Sequence, residues 1–217
     1  SLDIYKNTHI SSCPDDSGVA VGACLLAYHK YSSQKRTIIE NKDSYWGPEF
    51  NDEEIEIILK KFKINYSKPK NLVKEVANFI SKGELIGWFQ GRMEFGHRAL
   101  GNRSILADPR YEKTKDKVNS AVKYRESYRP FAPAVLLEKA HDIFEMPKDR
   151  SVYFMERAYY IRNEWRDKLQ AVCHVDGTGR VQTVDKTINK KFYNLIEEFE
   201  KITDIPVLLN TSFNLNG

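Results

Sequence analysis

Thirteen residues, Gly91-Arg-Met-Glu-Phe-Gly-His-Arg-Ala-Leu-Gly-Asn-Arg103, gather three arginines and three glycines into one short segment. A guanidinium offers a planar fork of N–H donors that matches phosphate or carboxylate oxygens two at a time, which a lysine ammonium cannot do. The glycines allow the backbone to approach such a ligand closely. No Gly-Lys-Ser/Thr closes the segment, so it is not a P-loop. A solvated surface loop has the same composition, and charge and glycine alone do not decide between the two. A second cluster, Lys123-Tyr-Arg-Glu-Ser-Tyr-Arg-Pro-Phe-Ala-Pro133, brackets Arg125 and Glu126 with Lys123 and Arg129. The proline after Arg129 stiffens the backbone that carries it, although ion pairing within the cluster is an equally simple use of these charges.

Three further segments carry polar groups at places where a fold can expose them. In His174-Val-Asp-Gly-Thr-Gly-Arg-Val-Gln182, Arg180 begins a strand directly after two glycines and can project into a cleft. His174 beside the turn is either a ligand contact or a hydrogen-bonded structural residue. Asn210-Thr-Ser-Phe-Asn214 follows an apolar run, at the kind of strand end where open α/β sheets bind ligands. Pro14-Asp-Asp-Ser-Gly-Val-Ala-Val-Gly22 sets an aspartate before a small-residue helix, where it either ligates a cation or caps the helix.

These segments need elements to hold them. Ser17 is the expected N-cap of a helix through Tyr28, and Lys30 to Asp43 reads as a linker. Asn51-Asp-Glu-Glu54 has the form of a capping box opening a helix to about Phe62. Leu72, Val73, Val76 and Ile80 mark one face of a helix over about 71–81, with Gly83 just past its end. Residues 85–90 and 104–107 are expected strands with the arginine segment as the loop between them. A short helix is expected over 114–122 and an extended run over 131–137. Val172–His174 and Val181–Thr183 read as a hairpin about Asp176–Gly179. A long helix over about 188–202 and a buried strand over 205–209 follow. Interleaved strands and helices make the class α/β.

The chain has 217 residues with 11 Gly and 8 Pro, enough for one core and far from a low-complexity composition. Its longest apolar run, Gly18 to Tyr28, is too short for a bilayer, and the first residues do not read as a signal peptide. Three cysteines without metal-type spacing fit reduced thiols in a cytoplasmic protein. Between Gly91 and Pro130 ten basic residues face five acidic ones, a net of +5 in a chain of net +4, so the other 177 residues sum to −1. So local an excess fits a bound anion better than a surface that coats nucleic acid.

Taken in order, Gly91-Arg-Met-Glu-Phe-Gly-His-Arg-Ala-Leu-Gly-Asn-Arg-Ser-Ile105, Arg129-Pro-Phe-Ala-Pro-Ala-Val135, His174-Val-Asp-Gly-Thr-Gly-Arg-Val-Gln-Thr-Val184 and Asn210-Thr-Ser-Phe-Asn214 closely resemble the C-terminal half of the NodU/CmcH-type O-carbamoyltransferases. The resemblance runs over nearly the whole chain. It implies a YrdC-like α/β domain over 45–217, an open twisted mixed sheet flanked by helices, truncated at its C-terminal end. Residues 1–44 correspond to the tail of an actin/sugar-kinase-like N-terminal domain and a linker. The implied reaction makes carbamoyl-adenylate from carbamoyl phosphate and ATP, with Mg²⁺. The carbamoyl group then passes to a hydroxyl of a small-molecule acceptor in the N-terminal domain, near iron or another divalent metal.

Carried over by motif, the resemblance assigns Arg98, Lys123 and Arg129 to the carbamoyl phosphate or carbamoyl group. It assigns Arg180 and Ser212 to the nucleotide, with Arg103, His174 and Asn210 as neighbours. Asp16 corresponds to one metal ligand, but no His-x-x-x-His element, the family's other ligand source, occurs here. The resemblance thus implies a fragment limited to the adenylation half-reaction. A YrdC-like RNA- or tRNA-binding module and a nucleotide-binding fragment without activity are the competing readings. The charge distribution disfavours nucleic acid, no membrane partner is expected, and a homodimer is left open.

Overall fold

A computed structural model describes residues 9–35, 42–124, 126 and 128–214. Its centre is a six-stranded sheet in the order β1-β2-β6-β3-β5-β4. The chain runs α1 (Asp16–Tyr31), α2 (Asp52–Lys61), α3 (Leu72–Ser81), β1 (Ile86–Phe89), β2 (Arg103–Ala107), α4 (Glu112–Val118) and β3 (Ala132–Leu136). It continues through α5 (Ala140–Ile143), β4 (Arg157–Tyr160), α6 (Asn163–Arg166), β5 (Thr178–Val184), α7 (Lys190–Thr203) and β6 (Val207–Ser212). Only β3 and β5 pair in parallel; the other neighbours are antiparallel. This is the expected open mixed sheet flanked by helices.

Local chemistry starts the helices where the sequence indicates. Asn51 accepts from the Glu54 amide at 2.9 Å, and Glu54 accepts from the Asn51 amide at 2.9 Å, a complete capping box. Asn71 and Asn189 cap α3 and α7 through the amides of Lys74 and Phe192. Helices α3 and α7 pack on each other, α3 against β1 and α7 against β3 and β6. Val76 and Ile80 of α3 and Phe192, Leu195, Ile196 and Phe199 of α7 meet Trp88, Leu106, Val135 and Leu208 in the core. Each buried side chain of this size contributes roughly 1.5–3 kcal/mol. By contrast α1 and α2 bury no residue, and Leu26, Val19 and Ile57 stand exposed on them. Among the described residues no helix is long and apolar enough to cross a membrane.

Three expectations are corrected. Asp15, not Ser17, occupies the N-cap of α1; Ser17 lies in the first turn and donates its hydroxyl to Asp15. The partner of β5 is β4, with Ala158 opposite Arg180, and not residues 172–174. The chain at Val172 and Cys173 curls back, both amides donating to the Leu169 carbonyl at 3.0 Å, so no ladder extends from the His174 turn. The helix expected to end at 122 continues as a π-helix over Asn119–Lys123, closed by Tyr124 in the left-handed region (φ 47°). Residues 36–41 of the expected linker lie outside the described residues.

Gly101 shows how tightly the loop after β1 seats on α7. Its φ is +105°, and a Cβ there would stand 2.2 Å from the Phe192 ring. Gly83 has a similar φ of +87° but nothing within 4 Å of a Cβ. Gly101→Ala should therefore lose about 3 kcal/mol, and Gly83→Ala only about 1 kcal/mol, in urea-melt midpoints. Equal losses would show that backbone strain alone, not the contact with Phe192, sets the cost.

Candidate functional site

The arginine segment is a loop wrapped around a buried acid. Glu94, whose side chain is fully buried, takes the Leu100, Asn102 and Arg103 amides on Oε1 at 2.6, 2.9 and 3.3 Å. Its Oε2 accepts from Arg103 Nε at 3.1 Å, while Arg103 Nη2 donates to the Glu94 carbonyl at 2.8 Å. A buried carboxylate is tolerable only when its lone pairs are filled, and these donors fill them. Arg103 is thereby engaged as a strap of the loop.

The loop is also clamped to the sheet. Asn210 Nδ2 donates to the Ala99 carbonyl at 3.1 Å and to Gln182 Oε1 at 2.8 Å, and Gln182 Nε2 donates to the Leu100 carbonyl at 2.8 Å. Both side chains are buried. Register explains the meeting: Ala134 pairs with Gln182 on one side and Leu208 on the other. Side chains alternate along strands, so Arg180, Gln182, Asn210 and Ser212 share one face.

Arg98 stands beyond these clamps, half-buried. Among the described residues it makes no hydrogen bond; burial lowers its guanidinium pKa, and the charge of Asp15 works against that shift. Its neighbour His97 meets Asp15 through Nδ1 at 2.8 Å. Asp15, with its carboxyl held below the usual range by Ser17 and His97, is thus the aspartate that faces the loop. Asp16 is exposed on the first turn of α1. Among the described residues no group of three or more His, Cys, Asp or Glu could hold a metal ion.

Lys123 and Ser212 are brought together. The Lys123 side chain is 1% exposed, and Nζ reaches the Ser212 carbonyl at 2.6 Å and Oγ at 2.9 Å, with Asn214 Oδ1 at 2.6 Å and its carbonyl at 3.2 Å. An apolar cavity of about 410 Å³, lined by Gly87, Ile105, Val122 and Phe213, opens beside Asn214. Arg129 is partly exposed and pairs with Glu126 at 2.9 Å.

His174 lines a second cavity, of about 390 Å³, with Lys115, Tyr128 and Pro130. Its Nδ1 lies 3.0 Å from Thr178 Oγ1. Burial lowers its pKa; Arg180 and Lys115 push the same way and Asp176 opposes. Among the expected residues, hydrogen bonds therefore join Lys123 with Ser212, the charge of Arg180 acts on His174, and Asn210 meets the loop one residue from Arg98. Arg103, Arg129 and Asp16 are drawn to Glu94, Glu126 and the start of α1 respectively.

The residues that sequence reasoning passed over are Glu94, Gln182 and Thr178. Glu94 counted only as one acid against ten bases. Gln182 had a usable signal, two positions from Arg180 on the same strand face.

The "Carbamoyltransferase C-terminus" family model matches residues 77–217, which hold every candidate site residue except Asp16. The chain is 43% identical to "Nodulation protein NolNO" of Sinorhizobium fredii over 98% of the chain and 32% of that protein. It is 41% identical to "Nodulation protein NolO" of Bradyrhizobium diazoefficiens over 99% of the chain and 40% of that protein. An uncharacterized protein of Methanocaldococcus jannaschii, MJ1058, is 40% identical over the whole chain and 37% of its own length. The chain thus spans about a third to two fifths of these relatives.

If the backbone clamp, not the ion pair, holds the loop, the two halves of the Glu94 contact differ in worth. Arg103 is about a third exposed, so Arg103→Met should lose about 1 kcal/mol, while Glu94→Ala, which strips the acceptor from three backbone amides, should lose about 3 kcal/mol or more in chemical denaturation. Equal losses would make the ion pair the dominant contact.

Proposed function

The chain belongs to the carbamoyltransferase C-terminus family, and from that membership we propose that it forms carbamoyl-adenylate from carbamoyl phosphate and ATP in a YrdC-like domain. The observation that carries this reading is Arg98. A guanidinium held half out of water on a braced loop, without a hydrogen bond among the described residues, is a cation prepared for an anion. Arg180 shares the sheet face with Ser212, where Lys123 supplies a buried ammonium. Two anionic substrates must approach each other, and fixed positive charge offsets their repulsion and the charge of departing pyrophosphate.

The balance is ATP, carbamoyl phosphate and one water giving carbamoyl-adenylate, pyrophosphate and phosphate. The water is consumed where phosphate leaves the carbamoyl carbon, and a carbamate oxygen then bonds to the α-phosphorus as pyrophosphate departs. Mg²⁺ would neutralise triphosphate charge, held largely through phosphate oxygens and water. In this reading Arg98 and Arg129 orient carbamoyl phosphate, and Arg180 and Ser212 orient the nucleotide. Arg103 and Asn210 brace the loop that carries Arg98. Final transfer to a hydroxyl of a small-molecule acceptor, with Asp16 contributing to a metal site there, belongs to the longer proteins of the family.

With carbamoyl phosphate, Mg²⁺ and ATP, the chain should release pyrophosphate, and Arg98→Ala should lower that release at least 100-fold while leaving the melting temperature within a few degrees. Unchanged release in Arg98→Ala would remove the assignment. Release that does not depend on carbamoyl phosphate would remove the reaction.

A further inference from the structure

Helix α2 turns to solvent a face that a surface helix does not need. None of its residues is buried, and Ile57 is 64% and Ile58 51% exposed. At 3.6 residues per turn, Glu54, Ile57, Ile58 and Lys61 share this open side. Phe50, Glu54, Ile57 and Ile58 line an open groove of about 450 Å³ there, and the exposed Phe62 at the C-cap extends the apolar surface. The opposite side is the tethered one: Glu56 holds Lys60 at 2.7 Å, accepts from the Tyr66 hydroxyl at 2.7 Å and meets Lys68. A contiguous apolar patch rimmed by charge marks an interaction surface.

The order of charges along α2 selects the occupant. Asp52, Glu53 and Glu54 fill its first turn, and Lys60 and Lys61 its last. That order suits the helix dipole, and a partner lying along the face must carry it reversed. A second copy of α2 running antiparallel does so. With Ile57 set opposite the partner's Ile58, the two-fold axis falls between them. Glu54 then lies opposite the partner's Lys61, and Lys61 opposite the partner's Glu54, so the face is complementary to itself. Lys60 is engaged by Glu56 on the tethered side, which makes Lys61 the basic group of this face. A lipid surface fits worse, because α2 carries four acids against two lysines and anionic headgroups repel it.

We propose that the chain pairs with a second copy of itself through α2, the two helices antiparallel, with Ile57 and Ile58 packed across the axis and a Glu54–Lys61 ion pair at either end. The apolar centre supplies the affinity, and the exposed charges fix direction and register. One ten-residue helix per chain covers less than a standard interface, so the dimer is transient, with a Kd on the order of 100 µM. The pairing does not depend on what the arginine loop binds.

Sedimentation equilibrium of the chain between ~10 µM and ~1 mM should show a mass rising from one chain toward two, and rising less as salt screens the ion pairs. Ile58→Glu, at an exposed position, should weaken association at least ~10-fold with the melting temperature unchanged. Glu54→Lys and Lys61→Glu each set like charges across the axis and should also dissociate the dimer, whereas an equimolar mixture of the two restores both pairs and should associate again. Glu54→Lys gives up the capping bond to Asn51, so circular dichroism checks that α2 persists. Lys61→Glu alone gives a second reading, since added salt should strengthen its residual association rather than weaken it. A chain that stays monomeric at ~1 mM overturns the proposal, and flotation with phosphatidylcholine vesicles would then assign the face to a lipid surface. A dimer indifferent to Ile58→Glu overturns it too. So does a mixture of charge variants that stays monomeric with α2 intact, or a Lys61→Glu chain that salt weakens as it does the parent.

Discussion

The candidate site depends on one buried carboxylate. Glu94 sits inside its own loop and turns three backbone amides and a guanidinium inward. With the amides of this stretch engaged inside, the Ala99 and Leu100 carbonyls are taken by Asn210 and Gln182, side chains of two strands that are not adjacent to each other. An internal anion thus sets the loop's shape, and the sheet sets its place. Either set of bonds alone would leave buried polar groups unpaired, each worth roughly 1–3 kcal/mol. Together they leave Arg98 as the charged side chain of the loop to which no internal bond among the described residues is assigned.

This division changes the meaning of the local positive excess. Much of it is spent inside the fold. Arg103 answers Glu94, and Arg110 makes a forked contact with the buried Asp108, which raises its pKa. Lys123 is wrapped by oxygens of Ser212 and Asn214. Net charge along a sequence therefore overstates the cations available to a ligand. Arg98, partly exposed, and Lys115 beside the His174 cavity keep their charge open to solvent, which the sum over forty residues does not show.

What was legible follows the range of the interactions. Capping boxes, amphipathic faces and apolar runs are local, so α2, α3, α7, β1, β2, β3 and β6 stood in the residues before any coordinates. The ordered motifs also mark the loop that Glu94 organises and the ends of β5 and β6. The missing strand β4 reads Arg-Ala-Tyr-Tyr, with little local pattern, and only its pairing with β5 defines it. The same holds for Glu94: nothing local distinguishes an acid that sits in solvent from one that gathers a loop around itself. Which aspartate meets the loop is not legible locally for a similar reason. Asp15 and Asp16 are equivalent in composition, and only the helix start decides which one faces His97.

Strand β5 couples stability to the site through its two-residue period. Gln182 clamps the loop and Arg180, two residues earlier, points from the same face. His174 and Thr178 lie in the turn that launches the strand, with the His174 amide bonded to the Thr178 carbonyl at 2.8 Å. A slip of one residue between β3 and β5 would send Arg180 and Gln182 to the opposite face together. It would also release the Leu100 carbonyl. The parallel register that seats Gln182 opposite Ala134 is therefore a condition for the arginine loop and the charge beside it alike. Neither can be misplaced without disturbing the other.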